Sequence, residues 1–175
     1  MNFKTLVTAI VFSAAASTSI ALEVGDQAPD FLLEATDGKS YSVSQFSDKE
    51  AVVIAWYPKA FTGGCTIECK SLADNGHLLK NLEVAYFMAS VDPIEKNIEF
   101  AEAYKADFPL LSDPSKKTAK DYDVLALYGL PKRHTFYIGK DGKILFIDKK
   151  IRPATSAEDM AAKLKELGVP KRTVG

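Results

Sequence analysis

Continuous apolar runs alternate with segments of helical periodicity along this chain. Residues 51–57 (AVVIAWY) and 84–91 (VAYFMASV) are predominantly apolar, a pattern typical of strands that are covered on both faces. Between them, apolar and small residues recur at helical spacing from 65 to 80, which predicts a helix. Pro93 then suits the first turn of a second helix that continues to residue 106. Together these segments predict a βαβ unit.

Turn and cap signals place two hairpins and two more helices around that unit. Each hairpin is closed by an Asp-Gly dipeptide, and the last helix stops at Gly168. The predicted elements are a hairpin of 31–35 and 40–43, a short helix over 116–122, a hairpin of 134–138 and 143–148, and a helix over 157–167. We therefore predict an α/β fold of the thioredoxin-like type, in which helices flank a central mixed sheet that begins with an N-terminal β-hairpin.

The N-terminal segment has the pattern of a cleavable signal peptide. A short cationic start is followed by the apolar run 5–16 and by small residues over 17–21, with Ser19 and Ala21 at the positions that a signal peptidase reads. We expect residues 1–21 to be removed, which leaves 22–175 as a single domain that is periplasmic or secreted and not bound to a membrane. An uncleaved membrane anchor and an ordinary buried helix are the alternatives, although the run is short for a membrane span.

Charge and composition exclude several classes of protein. The chain of 175 residues carries 22 Lys and Arg against 23 Asp and Glu. This balance offers no basic field for a phosphate backbone, so we expect no nucleic-acid partner. Two cysteines are too few to hold a domain of this size together as a disulfide framework. If the cysteines matter, their role is chemical.

Cys65 lies where the first apolar strand passes into the following helix. In the first turn of a helix, unpaired backbone N–H groups and the helix dipole favour an anion such as a thiolate. Gly63 and Gly64 leave room for a small substrate, and the hydroxyl of Thr62 can face the same space. The alternative is that Cys65 is a small buried apolar residue, as free cysteines often are.

The segment Pro58-x-x-x-Thr62-x-x-Cys65 resembles the signature of the peroxiredoxins, thiol peroxidases of the thioredoxin fold, and in particular their bacterioferritin-comigratory or Q-type subgroup. The likeness extends from residues 24–31 to 136–142. The resemblance implies that Cys65 reduces hydrogen peroxide and organic hydroperoxides through a sulfenic acid, without a metal or an organic cofactor. It also implies a thioredoxin-like or small-thiol reductant, and we expect a monomer or a weak dimer.

The resemblance further assigns roles around the sulfur. Arg133 occupies the place of the family's arginine, whose permanent charge and planar donors suit a thiolate and a peroxide. Thr62 and the N–H groups of the loop would stabilise the charge that develops in the reaction, and Pro58 would shape the loop and shield the sulfur. The alternative is that Arg133 is a solvated surface charge.

Cys69 departs from the subgroup's pattern. The subgroup often carries a resolving cysteine five residues after the reactive one, where this chain has Lys70. Residues four apart on a helix have Cβ atoms about 5–6 Å apart, whereas a disulfide requires about 3.5–4.5 Å. Cys69 resolves Cys65 only if the helix start unwinds. Because Cys69 also shares the apolar face of the predicted helix, a purely structural role remains open.

Gly63 and His134 also differ from the subgroup. Gly63 stands where a proline is usual, which loosens the loop, and His134 stands where a small residue is usual. A histidine in that position either tunes the site or simply packs in a strand.

Two other functions share parts of this pattern. Copper-assembly proteins of the Sco type use Cys-x-x-x-Cys with a histidine, and here only His77 and His134 are available. A thiol-disulfide oxidoreductase of the thioredoxin type normally has two residues between its cysteines, whereas three lie between Cys65 and Cys69. Copper delivery does not account for the segment from Pro58 to Cys65 or for Arg133.

Overall fold

The computed structural model describes residues 21–173 and places seven strands in one sheet. The strands are β1 Leu33–Ala35, β2 Ser40–Tyr41, β3 Ala51–Trp56, β4 Val84–Ser90, β5 Leu110–Ser112, β6 Thr135–Ile138 and β7 Ile144–Asp148. The helices are α1 Gly63–Asn75, α2 His77–Lys80, α3 Ile94–Ala103, α4 Lys117–Asp121 and α5 Ser156–Glu166, with short 3-10 turns at Ser44–Phe46 and Pro153–Thr155.

The sheet is mixed, and its strand order is β2-β1-β5-β4-β3-β6-β7. The three central strands β3, β4 and β5 are parallel, while the two hairpins join them as antiparallel pairs at either edge. This arrangement confirms the predicted central sheet, the βαβ unit and the N-terminal hairpin.

Side chains of β3 alternate between two apolar cores, one on each face of the sheet. Val53 points into the core that α1, α3 and α5 cover, and Ile54 points into the opposite core under α4 and residues 28–43. Both residues are fully buried. Because both faces of β3 are covered, its sequence is a continuous apolar run rather than an alternating one.

The structure differs from the sequence prediction at two places. Strand β5 is only three residues long and lies between a proline and an aspartate, so it carries too few residues to show a period. The helix predicted over 65–80 is interrupted at Gly76, where the chain packs closely against β4. A Cβ at Gly76 would lie 2.6 Å from the carbonyl oxygen of Leu72 and 2.7 Å from the hydroxyl of Tyr86, so any larger residue would force the surrounding groups to shift.

Strand pairing brings the loop after β3 next to the start of β6. Ala55 lies opposite Thr135, and the N–H of Trp56 donates to the carbonyl of His134 at 2.9 Å. On the other side, the N–H of Tyr57 donates to the carbonyl of Ala89 at 2.9 Å. Arg133, two residues before β6, therefore lies at the edge of the sheet where α1 begins.

The predicted signal peptide, residues 1–21, lies outside the described residues except for Ala21. Across residues 21–173, every helix is too short or too polar to cross a bilayer.

Candidate active site

Cys65 and Arg133 are the two site residues that the structure places in direct contact. Cys65 is the third residue of α1 and is 1% exposed, and Nη2 of Arg133 donates to its Sγ at 3.0 Å. A guanidinium stays charged under all relevant conditions and stabilises a sulfur that carries negative charge. Of the two interpretations of Arg133, the structure favours the one beside the sulfur.

The carboxylate of Glu68 holds Arg133 in place from the other side. Glu68 is fully buried one turn after Cys65, where it forms an ion pair with Nη1 of Arg133 and accepts a hydrogen bond from Ser156 Oγ at 3.3 Å. Burial raises the pKa of Glu68, and the charge of Arg133 opposes part of that rise. Burial acts to lower the pKa of Arg133, but the negative charges of Glu68 and Cys65 outweigh it and raise that pKa.

No motif in the sequence points to Glu68 as a site residue. Its position three residues after Cys65 and four before Leu72 puts a carboxylate on the apolar face of α1, together with Cys69. A charged residue on a buried helical face requires a partner of opposite charge. A carboxylate on an apolar helix face is the sequence signal that could have identified Glu68, and Arg133 is the cation that the resemblance already places at the site.

The two glycines before Cys65 have different surroundings. A Cβ at Gly64 would lie 3.2 Å from Nη2 of Arg133, whereas a Cβ at Gly63 would meet nothing within 4 Å. A larger residue at position 64 would therefore press on the guanidinium of Arg133 and force it to shift. The open side of the helix start is at Gly63.

Thr62 is the N-cap residue of α1, but its hydroxyl bonds within the preceding loop. Oγ1 of Thr62 donates to the carbonyl of Lys59 at 2.8 Å, and the carbonyl of Thr62 accepts the N–H of Thr66 at 2.9 Å. The hydroxyl oxygen of Thr62 keeps lone pairs that can accept a hydrogen bond. Pro58 is half-buried at the beginning of the same loop. Among residues 21–173, neither Thr62 nor Pro58 forms a hydrogen bond to Cys65.

Cys69 lies one turn beyond Cys65 and is fully buried in the core under α1. The two cysteines are free thiols in this structure. Burial, with a contribution from the carboxylate of Glu68, raises the pKa of Cys69 to about 12. In the helical state Cys69 is therefore a protonated, shielded thiol and a poor nucleophile.

His134 is half-buried immediately after Arg133. Burial, together with the positive charges of Lys149 and Lys132, lowers the pKa of His134. Within the described part of the chain, its side chain forms no hydrogen bond, and no group of three or more His, Cys, Asp or Glu side chains is placed to hold a metal ion.

Comparisons of the sequence with known proteins point to one family. The sequence model of the AhpC/TSA family matches residues 24–147, which include Cys65, Glu68 and Arg133. Peroxiredoxin Bcp of Escherichia coli (strain K12) is 35% identical over 130 residues, which are 70% of this chain and 83% of that protein. Peroxiredoxin Bcp of Bacillus subtilis (strain 168) is 29% identical over 155 residues, 85% of this chain and 98% of that protein.

A solved structure gives the same result. The crystal structure of peroxidoxin BcpB from Mycobacterium tuberculosis superposes with a TM-score of 0.74 at 31% sequence identity. The match covers 83% of this chain and 97% of that one, so it includes most of the sheet and its helices.

The contrast between the two glycines gives a direct test of the geometry around Arg133. We expect Gly64→Ala to push the guanidinium away from Sγ and to slow the reaction of Cys65 with hydrogen peroxide about tenfold or more. Gly63→Ala is the matched control, since its added methyl group meets open space. Stopped-flow measurement of the second-order rate constant checks this. Equal rate constants for the two variants would contradict the role assigned to Gly64.

Proposed function

The chain belongs to the AhpC/TSA family and is a thiol-dependent peroxidase, and from this premise we propose that Cys65 is the thiol that attacks the peroxide. The observation that carries the proposal is the 3.0 Å contact between Arg133 Nη2 and Cys65 Sγ. It provides the reactive sulfur with a permanent positive charge at the start of a helix, where the dipole adds to the effect.

The proposed reaction is a two-electron transfer from sulfur to the peroxide. The thiolate of Cys65 forms a bond to one peroxide oxygen while the O–O bond breaks. The departing oxygen takes up a proton and leaves as water or as an alcohol, and the sulfur becomes a sulfenic acid. Negative charge therefore moves from the sulfur onto the leaving oxygen. Hydrogen-bond donors fixed near that oxygen stabilise the charge and lower the barrier.

Arg133 and the first turn of α1 supply those donors in the proposal. The first backbone hydrogen bond of α1 runs from Thr66 to Thr62, and the N–H groups before it precede the regular hydrogen-bond ladder. The hydroxyl of Thr62 donates its hydrogen bond to the carbonyl of Lys59, so the hydroxyl oxygen can accept a hydrogen bond from the O–H of a peroxide. Pro58 restricts the loop and shields the sulfur.

The surface beside the site fits both small and organic peroxides. Gly63 leaves the helix start open, which suits hydrogen peroxide. Two large apolar side chains near it are unusually exposed, Phe61 at 44% and Ile67 at 49%. These side chains offer contact area to the organic part of a hydroperoxide.

The sulfenic acid of Cys65 must then react with a second thiol. A disulfide with Cys69 requires α1 to unwind through both cysteines, because the Cβ spacing in a helix is about 5–6 Å and a disulfide needs about 3.5–4.5 Å. That change also removes Glu68 from its buried ion pair with Arg133. An external thiol requires only Cys65 to move. The contacts therefore favour a thioredoxin-like or small-thiol reductant over Cys69 as the resolving group.

In that sequence the reductant's thiol attacks the sulfur of the sulfenic acid and releases water. The product is a mixed disulfide, which a second thiol of the reductant reduces to return Cys65 to its thiolate.

Peroxide consumption and mass spectrometry together test these assignments. We expect Cys65→Ser to abolish peroxide consumption with a thiol donor, and Cys69→Ser to retain it. After treatment with one equivalent of hydrogen peroxide and no donor, Cys65 of the native chain is expected to gain oxygen while Cys69 stays reduced.

Two results would contradict the proposal in different ways. Full activity in Cys65→Ser would end the assignment of Cys65 as the reacting thiol. A loss of two hydrogens from the native chain, absent in Cys69→Ser, would show that Cys69 resolves the sulfenic acid and that α1 unwinds during turnover.

We also propose that residues 1–21 direct export and that the mature enzyme is periplasmic or secreted. The support is the sequence pattern that ends at Ser19 and Ala21. N-terminal sequencing of the exported protein is expected to begin at Leu22, and Ala21→Arg is expected to block cleavage. Full-length protein that stays in the cytoplasm or in the membrane would contradict export.

A further inference from the structure

The loop of residues 58–62 is held by groups that belong to the end of β4 and to α3. The N–H of Ala60 donates to Oδ2 of Asp92 at 2.8 Å. Just before the loop, the hydroxyl of Tyr57 donates to Oδ1 of Asn97 at 2.7 Å. The loop that carries Thr62 into α1 is thus fixed from outside as well as by its own bonds.

Asp92 is itself held by hydrogen bonds to its side chain and to its backbone. It is 8% exposed, its Oδ2 also accepts from Ser90 Oγ at 3.2 Å, and its backbone carbonyl accepts from Ser112 Oγ at 2.6 Å. Among residues 21–173, no lysine, arginine or histidine forms an ion pair with it. A buried carboxylate without a cation is costly unless its hydrogen bonds are fixed. The N–H that it fixes in the loop is that of Ala60.

Phe61, the next residue, has a backbone conformation that needs such an anchor. Its φ is 62°, in the left-handed region that a bulky aromatic residue rarely adopts. Its ring contacts Phe100 and Tyr104, with centroid distances of 5.2 and 6.2 Å, but remains 44% exposed. The conformation is bounded on one side by the bond from Ala60 to Asp92 and on the other by the bond from Thr62 to Lys59.

We propose that Asp92 is a positioning residue for peroxide reduction, which acts through the backbone of Ala60 to hold Phe61 in its left-handed conformation and Thr62 at the start of α1. The inference rests on the proposed function of Cys65, and it adds a residue that touches neither the sulfur nor the substrate. Loss of the carboxylate lets Phe61 relax toward a common conformation, which turns Thr62 and the first N–H groups of α1 away from the place where the peroxide reacts.

The chain offers a matched control in Asp113. This aspartate is also buried and also accepts a backbone N–H, that of Ala119 at 2.8 Å, together with Ser115 Oγ at 2.7 Å. Its carboxylate holds α4 rather than the 58–62 loop. Asp113→Ala therefore removes the same kind of hydrogen bond without freeing Ala60.

The test compares Asp92→Ala, Asp92→Asn and Asp113→Ala in a Cys69→Ser background, so that only Cys65 reacts. Three quantities are measured: the second-order rate constant with hydrogen peroxide, the rate constant of alkylation by iodoacetamide, and the midpoint of urea unfolding.

We expect Asp92→Ala to slow the peroxide reaction about tenfold or more, while alkylation, which does not use the loop donors, stays the same or becomes faster. Asp92→Asn keeps an oxygen that accepts from Ala60, so it should restore most of the peroxide rate.

Asp113→Ala is expected to lower the urea midpoint as Asp92→Ala does and to leave both rate constants at the parent value. An unchanged peroxide rate constant in Asp92→Ala would overturn the inference. The inference would also be overturned if Asp92→Ala and Asp113→Ala both lost the peroxide and the alkylation rate constants to the same extent. A parent chain that does not react with peroxide at all would overturn the proposed function itself, and that result is distinct from either of the others.

Discussion

The guanidinium of Arg133 joins three parts of the molecule at one point. It donates to Sγ of Cys65 at 3.0 Å and forms an ion pair with the fully buried Glu68, which in turn accepts a hydrogen bond from Ser156 at the start of α5. Removing one member of such a buried pair leaves an uncompensated charge and typically costs about 3–5 kcal/mol. The first turns of α1, the start of β6 and the start of α5 are thus linked to one another by groups that also surround the sulfur of Cys65.

The sheet determines that these parts meet. Because β6 is antiparallel to β3, the start of β6 lies beside the end of β3, and Arg133 comes opposite the loop that leads to Cys65. Because β4 is parallel to β3, its end brings Asp92 to the same edge, where it reaches Ala60. Cys65 is therefore approached by Arg133 from the side of β6, and the loop that leads to Cys65 is held by Asp92 from the side of β4.

The parts of this arrangement that the sequence predicted are those with a strong local pattern. The run 51–57 and the position of Cys65 after two glycines indicated a strand, a loop and a helix start without reference to the rest of the chain. Arg133 was selected through the family resemblance, and the structure places it at the sulfur. Strand β5 was missed because three residues show no period, and the break at Gly76 because it depends on close packing against Tyr86.

Glu68 and Asp92 were missed for a common reason. Each is an acidic residue whose role depends on a partner distant in sequence, Arg133 for Glu68 and the N–H of Ala60 for Asp92. Local pattern places acidic residues in solvent by default, and only the tertiary structure shows which of them are buried. Around Cys65, sequence motifs locate the cysteine and its arginine, whereas the acidic groups that hold the surrounding residues in place are identified only by their burial and hydrogen bonds.

The central claim is that Glu68 and Arg133 act on Cys65 as one unit, and a double-mutant cycle tests it most directly. The rate constant of Cys65 with hydrogen peroxide is measured in Glu68→Gln, Arg133→Lys and the double variant. If the two residues form one unit, each single change slows the reaction about tenfold or more and the double variant is no slower than the slower single variant. A double variant whose loss equals the product of the two single losses would show that the residues act independently and would contradict the account.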